Sequence, residues 1–487
     1  MLLYSFFTLI GAVTLYSFKD WRRGIYLMIF IGIIKDPIRK MIPDAPAYLA
    51  LATVPVYVSI LIGAFIENPK VFKDFMAKFP RLSKAIFIFV ISLIPAAVKS
   101  ATFGSGTWKV TALGLFSYMS VILGIYIGYF CFQRHKNMTN MLKFYCFITA
   151  LLLIGTPMEY LGAAKGWAAL GTTAMGNEWH QYSVPGVVIN MIAGFYRSPD
   201  VMGWHSTALS MLSIVLATNT TGKERYFWVA LAGWGLIGSV LCGRRKMFFM
   251  LPIFISVLTM VYFSVPKRIK IASVAMIVLI SLFSGYYLYR KIGPNAAIEK
   301  YYFQNPDVIF GRVEKQGIDS VIGTYKQSGI FGEGLGTATQ GSQHIHVSKP
   351  RTWQEGGLDR IMVEMGLPGF VCFIYLVLCL FMTIWAKIVN NPVFYNQSDF
   401  SIRAGLFSFM VANSACFVIS HQIFGDPLII CFVAILIGAL MSESYVEDQT
   451  MANQIYKLEK QSQHFETVNQ FSLKKNNRQL IKGLLKT

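Results

Sequence analysis

The stretch Phe370-Val371-Cys372-Phe373-Ile374-Tyr375-Leu376-Val377-Leu378-Cys379-Leu380-Phe381-Met382-Thr383-Ile384-Trp385-Ala386 carries no charge and ends at Lys387. With the residues from Ile361 onward it is long enough to cross a bilayer as a helix, which takes roughly twenty apolar residues. About a dozen comparable stretches are spread almost evenly along the chain, each of them near that length. Backbone polar groups in hydrocarbon must be satisfied internally, so segments of this kind are read as helices. The 487 residues are 54% hydrophobic and only 14% charged, with a mean hydropathy of +0.50, too apolar for a water-soluble globule. The sequence therefore predicts an all-α polytopic membrane protein of about thirteen transmembrane helices.

The spans are expected at 2–18, 24–38, 46–66, 84–100, 111–132, 139–157, 199–218, 225–242, 246–264, 268–288, 361–386, 402–420 and 425–441. With the N-terminus outside, the short inner loops become 19–23, 70–84, 134–143, 223–225, 266–270 and 387–403, and all are basic. That is the positive-inside bias. It accounts for much of the net charge of +20, so the cations mark orientation in a membrane and not contact with nucleic acid. Residues 1–158 form an N-terminal group of spans, and 159–198 an extracytoplasmic interfacial segment expected to include a helix in the headgroup layer. Residues 199–288 carry further spans, 289–360 a large extracytoplasmic helical loop, 361–441 the last spans and 442–487 a basic cytoplasmic tail suited to anionic headgroups. The first eighteen residues lack a basic leader and a small-residue cleavage site and are read as the first span. All seven cysteines fall in or beside apolar segments, which predicts packing residues without a disulfide framework, and no metal-ligand spacing is found.

Against this orientation a few cations stand on the wrong side. Gly243-Arg244-Arg245-Lys246 forms a hairpin at the outer ends of two spans, Arg197 precedes another, and Arg39 and Lys40 end the second. Each alone can snorkel to headgroups or pair with an acid such as Asp36 or Asp200. Together they suit a doubly charged phosphate ester or a diphosphate. His205 lies eight residues after Arg197, about two helical turns, and reads more readily as a hydrogen-bonded core residue than as a ligand.

The large loop contains Phe310-Gly311-Arg312, an amphipathic stretch 313–327, and Gly332-Glu333-Gly334-Leu335-Gly336. His344, His346, Arg351, Trp353 and Glu355 follow, and then a helix reading Glu364-Met365-Gly366-Leu367-Pro368-Gly369. Close glycines permit tight turns whose N–H groups can approach an anion. An amphipathic helix, a Gly-x-Gly-Leu-Gly turn, a variable polar stretch and a Glu-x-Gly-Leu-x-Gly helix, in that order, resemble the O-antigen ligase and O-antigen polymerase superfamily. Phe195-Tyr196-Arg197-Ser198-Pro199-Asp200 and Gly243-Arg244-Arg245 occupy the places of that family's two upstream polar segments. The resemblance covers roughly residues 194–369; the N-terminal third is similar only in hydropathy.

The resemblance implies a multi-helix membrane glycosyltransferase (GT-C-like) that inverts at the anomeric carbon without a metal or other cofactor. Its donor would be an undecaprenyl diphosphate-linked oligosaccharide at the outer leaflet of the bacterial inner membrane. The acceptor would be another carrier-linked glycan for a polymerase of O-antigen or exopolysaccharide, or lipid A core for a ligase. Membrane lipids, a chain-length regulator and export proteins are the partners such a role implies, with no nucleic acid. Ligase-type members carry a histidine about nine residues before the helix glutamate, whereas here that place holds Glu355, which favours the polymerase branch. On this reading Glu355, or else His346 or His344, is the base, Arg244 and Arg245 clamp the diphosphate, and Arg197 and Arg312 assist. Glu355 could equally be a helix-terminal acid that merely favours the dipole, and Arg360 with Glu364 a plain intrahelical pair. A lipid-linked oligosaccharide flippase or polysaccharide exporter, and a non-catalytic assembly subunit, remain as readings from other classes.

Overall fold

In the computed structural model, residues 1–102, 104, 106–132, 135–163, 180–184, 187–264, 318–342, 345, 354–389 and 397–442 are described. The regular elements among them are helices and one short hairpin. The helices are α1 (Leu2–Lys19), α2 (Trp21–Met41), α3 (Thr53–Glu67, after a 3-10 turn at Ala47–Leu51), α4 (Val71–Lys78), α5 (Pro80–Ala101) and α6 (Thr107–Cys131). There follow α7 (His135–Leu152), α8 (Gly155–Tyr160), α9 (Pro199–Asn219), α10 (Gly222–Leu241) and α11 (Arg245–Phe263). The chain closes with α12 (Ile318–Ser328), α13 (Gly357–Val389), α14 (Gln397–Ile419) and α15 (Pro427–Met441).

Among the described residues nine helices are long and apolar enough to cross a membrane, as a multi-pass membrane protein requires. Twelve of the thirteen expected spans coincide with helices, and the thirteenth, 268–288, lies outside the described residues. The three that fall short of the nine are α2, with Lys35 and Asp36 inside it, α10, which opens with Lys223-Glu224-Arg225, and α15, with 15 residues. The interfacial segment differs from expectation. Instead of a helix, its described part is an antiparallel hairpin of β1 (His180–Val184) and β2 (Val187–Asn190). Tyr182, Val184, Val187, Val188 and Ile189 favour a strand, and Pro185-Gly186 between them is a turn signal.

The helix α9 lies at the centre, packed against α7, α10, α11 and α14. Of its apolar window 83% is buried, against 17% for α13, so α9 is enclosed by protein and α13 presents its side to the surroundings. Its sequence allows this, because Ser206, Thr207, Ser210 and Ser213 alternate with apolar residues and no face carries a charge beyond the first turn.

The two ends of the bundle separate as the loop charges require. At one end Arg22 pairs with Glu67 at 2.8 Å and Lys143 with Glu224 at 2.6 Å, while Lys387 Nζ donates to Met441 O and Ser442 Oγ to Phe132 O. All of these lie in or beside loops expected inside. At the other end Lys40 donates to Gly194 O, Leu335 N to Ala96 O and Lys246 to Ser420 Oγ, joining segments that are all expected outside. An orientation experiment tests the expectation that the basic end faces the cytoplasm. A cysteine replacing Phe331, which is exposed, should be labelled by an impermeant maleimide on intact cells, and one replacing Lys223 should not; labelling of Lys223→Cys alone would invert the assignment.

Candidate functional site

The outer end gathers charged residues from five segments. Ser198 caps α9 by accepting from Val201 N, Pro199 occupies its first turn, and Asp200 follows as the acid that the helix dipole favours there. Gly243, at φ 69°, turns the chain between α10 and α11 and leaves Arg244 as the residue capping α11. Arg244 therefore projects from the start of a helix, where its guanidinium meets Asp200 at 3.0 Å. Lys246 Nζ lies 2.8 Å from the same carboxylate and donates to Ser420 Oγ at 2.7 Å. Two cations thus share one carboxylate. Arg245, the first residue of α11, is half-buried.

Arg197 is committed elsewhere. Its guanidinium lies 2.9 Å from Asp426, and its backbone N donates to Asp36 Oδ2 at 3.2 Å. Asp426 is 1% exposed, caps α15 by accepting from Leu428 N, and takes both Oδ contacts of Lys35 at 2.8 and 2.9 Å. Burial opposes the charge of the Asp426 carboxylate, and Lys35 and Arg197 lie opposite it to compensate. Burial likewise opposes the Arg197 charge, and Asp426 with Asp36 overcomes that, so its pKa is raised. Arg39 Nε bonds Ala45 O, and Glu159 accepts the N–H groups of Ala193 and Gly194, so the segment entering α9 is pinned from both sides.

Two N–H groups of the glycine turn are taken by the protein itself. Leu335 N donates to Ala96 O at 2.9 Å, Glu333 N to Val363 O at 2.5 Å, and Lys99 holds Gly332 O. Gly336 sits at φ 85° so close to α6 that a Cβ would stand 2.0 Å from Val110 O, which excludes any other residue. Opposite the turn, α13 breaks at Gly366 (φ 64°, ψ −168°), and Leu367 N donates to Ile330 O at 2.8 Å. Glu364, fully buried, accepts from Tyr118 OH (2.7 Å), Thr339 Oγ1 (2.8 Å) and Ala338 N (3.1 Å). Arg360 lies 3.5 Å from Glu364 and donates to Thr339 Oγ1. The intrahelical pair expected from the spacing of four is formed, and its wider task is to fasten the turn.

Glu355 stands exposed in the bend before α13. Its carbonyl accepts from His421 N at 2.9 Å and lies 3.2 Å from His421 Nδ1. A continuous chain of contacts therefore runs Arg244, Asp200, Lys246, Ser420, and through the next residue His421 to Glu355. The structure brings Arg197, Arg244, Arg245 and Glu355 to the same end but divides Arg197 and Arg244 between two carboxylates. Arg312, His344 and His346 lie outside the described residues. His205 is a core residue, 2% exposed, with Nδ1 2.9 Å from Tyr145 OH and its ring stacked on Tyr196.

Lys35, Asp426 and His421 are the members that reading by motif passed over, while Lys246 stood among the out-of-place cations without a role of its own. Lys35 and Asp426 had a signal, since an ionisable residue inside a span needs a partner and Asp426-Pro427 is a helix start. His421, a lone imidazole in a short connector, had none. The sequence matches neither a known family profile nor a curated protein.

Proposed function

We propose that the chain is a metal-independent inverting glycosyltransferase that polymerises repeat units carried on a polyprenyl diphosphate, working at the outer leaflet of a bacterial inner membrane. The observation that carries this is the convergence of two cations on Asp200. Arg244 and Lys246 share one carboxylate there, one contact away from the segment that holds Glu355. Two cationic donors 2.8 and 3.0 Å from one carboxylate are near enough to each other to meet one doubly charged anion such as a diphosphate.

In the reaction the acceptor hydroxyl attacks the anomeric carbon while the bond to the diphosphate oxygen breaks on the opposite face. Glu355 takes the hydroxyl proton and the carrier diphosphate leaves with its electron pair, against Arg244 and Lys246. Stabilising that leaving charge in a site partly shielded from water is the larger share of catalysis, and proton removal the smaller. Arg197, already balanced by Asp426 and Asp36, shapes the site more than it binds. This revises the roles inferred from sequence: Lys246 takes the place in the clamp given there to Arg245, and Arg197 becomes a support.

Transfer of the glycan to lipid A core, as in a ligase, uses the same groups and differs only in the acceptor. A flippase or exporter would share the buried Lys35–Asp426 pair, since carriers place charges within spans. Here both partners are 1% exposed, and Asp426 also holds Arg197 and Leu428 N, which suits a fixed strut.

Purified protein supplied with lipid-linked repeat units extracted from the producing cells provides the test. Arg244→Ala and Lys246→Ala should each raise KM for the donor on the order of 10- to 100-fold, the loss of a charged hydrogen bond. Unchanged KM in both would remove the diphosphate from this site.

A further inference from the structure

We propose that His421 is a positioning residue that sets Glu355 in register with the Arg244–Lys246 clamp, an inference that rests on Glu355 being the base. The clamp and Glu355 come from segments far apart in the chain, and the link between them is the connector of α14 and α15. Ser420 Oγ accepts Lys246 Nζ at 2.7 Å. The next residue, His421, gives its backbone N–H to Glu355 O at 2.9 Å, and its ring Nε2 lies 3.2 Å from Ala338 O. Ala338 is itself fixed, because its N–H is taken by the buried Glu364.

The ring chemistry decides what His421 contributes. Both ring nitrogens face carbonyl oxygens, Nδ1 toward Glu355 and Nε2 toward Ala338, each at 3.2 Å. Burial, with Arg360 nearby, pushes the imidazole down to about 3, so the ring is neutral and donates from one nitrogen only. Glu355 O already has a donor in the backbone N–H of His421. The tautomer with hydrogen on Nε2 gives each carbonyl one donor, and so the ring ties the glycine turn while the backbone ties Glu355. With the side chain 2% exposed and its neighbour carrying Lys246, a shift of the ring moves the base relative to the clamp. Displacements of about 1 Å between reacting groups can cost 10²-fold in rate.

Three substitutions separate this role from simple packing. His421→Gln keeps a donor near the Nε2 position, His421→Asn places one near Nδ1, and His421→Phe keeps the ring without a donor. With extracted lipid-linked repeat units as donor, His421→Phe and His421→Asn should lose about 10-fold or more in kcat with KM for the donor within about threefold, since Ser420 still holds Lys246. His421→Gln should recover kcat to within a few-fold of the unsubstituted protein. The inference is overturned if His421→Phe turns over normally, if its deficit lies in KM alone, if Asn rescues better than Gln, or if none of the three folds. Glu355→Gln, run beside them, keeps the two ideas apart. Normal turnover there removes Glu355 as the base, whereas an inactive Glu355→Gln with an unaffected His421→Phe refutes only the positioning role.

Discussion

Glu355→Gln should leave donor binding near normal and reduce turnover by roughly 10² to 10⁴-fold, the contribution of a general base. The carboxamide keeps the size of the side chain and removes the group that accepts the proton. The bend that carries it should survive, because it is held through backbone groups: His421 N on Glu355 O, and Arg360 N on Gly356 O. Single-turnover measurement with extracted lipid-linked repeat units reads the chemical step directly. Turnover within a few-fold of normal would exclude Glu355 and shift the base to His346 or His344.

Asp426→Asn should be the most destabilising single exchange at this end of the bundle. The amide can still cap α15 through Leu428 N, so what is lost is charge alone. Lys35, 1% exposed, would keep a buried ammonium with no carboxylate opposite it, and Arg197 would lose its 2.9 Å partner. Breaking a buried pair by removing one member costs about 3–5 kcal/mol. Thermal midpoints of the detergent-solubilised protein should fall clearly, and the added exchange Lys35→Met should restore part of the loss. Equal midpoints for Asp426→Asn and the unsubstituted protein would mean that the pair contributes nothing to stability.

The architecture was largely legible because its signals are additive. Each span repeats the same apolar length, and the basic loops fix alternate ends, so one ambiguous segment does not disturb the others. The glycine turn and the Glu364 helix were also visible as motifs. Their use was not: a row of glycines reads as an anion cradle or as close packing until Val110 O and Gly366 are seen against it. Arg197 and Arg244 were found as out-of-place cations, and only coordinates could show that each already faces a carboxylate, since Asp426 lies more than two hundred residues beyond Arg197. The interfacial hairpin was missed because aromatic residues among small apolar ones suggested a helix, although Pro185-Gly186 between β-branched residues pointed to a turn.

The seat of the glycine turn has a consequence for divergence. Ile330 O, Gly332 O, Glu333 N and Leu335 N make the attachments, and their partners include Val363 O, Leu367 N and Ala96 O. Apart from Lys99, these four attachments are made by peptide groups, which every amino acid except proline presents alike. Phe331, exposed beside this joint, can therefore be exchanged without unseating the loop, while the glycines cannot. Selection can therefore rewrite the outward side chains over a scaffold that hardly registers the change.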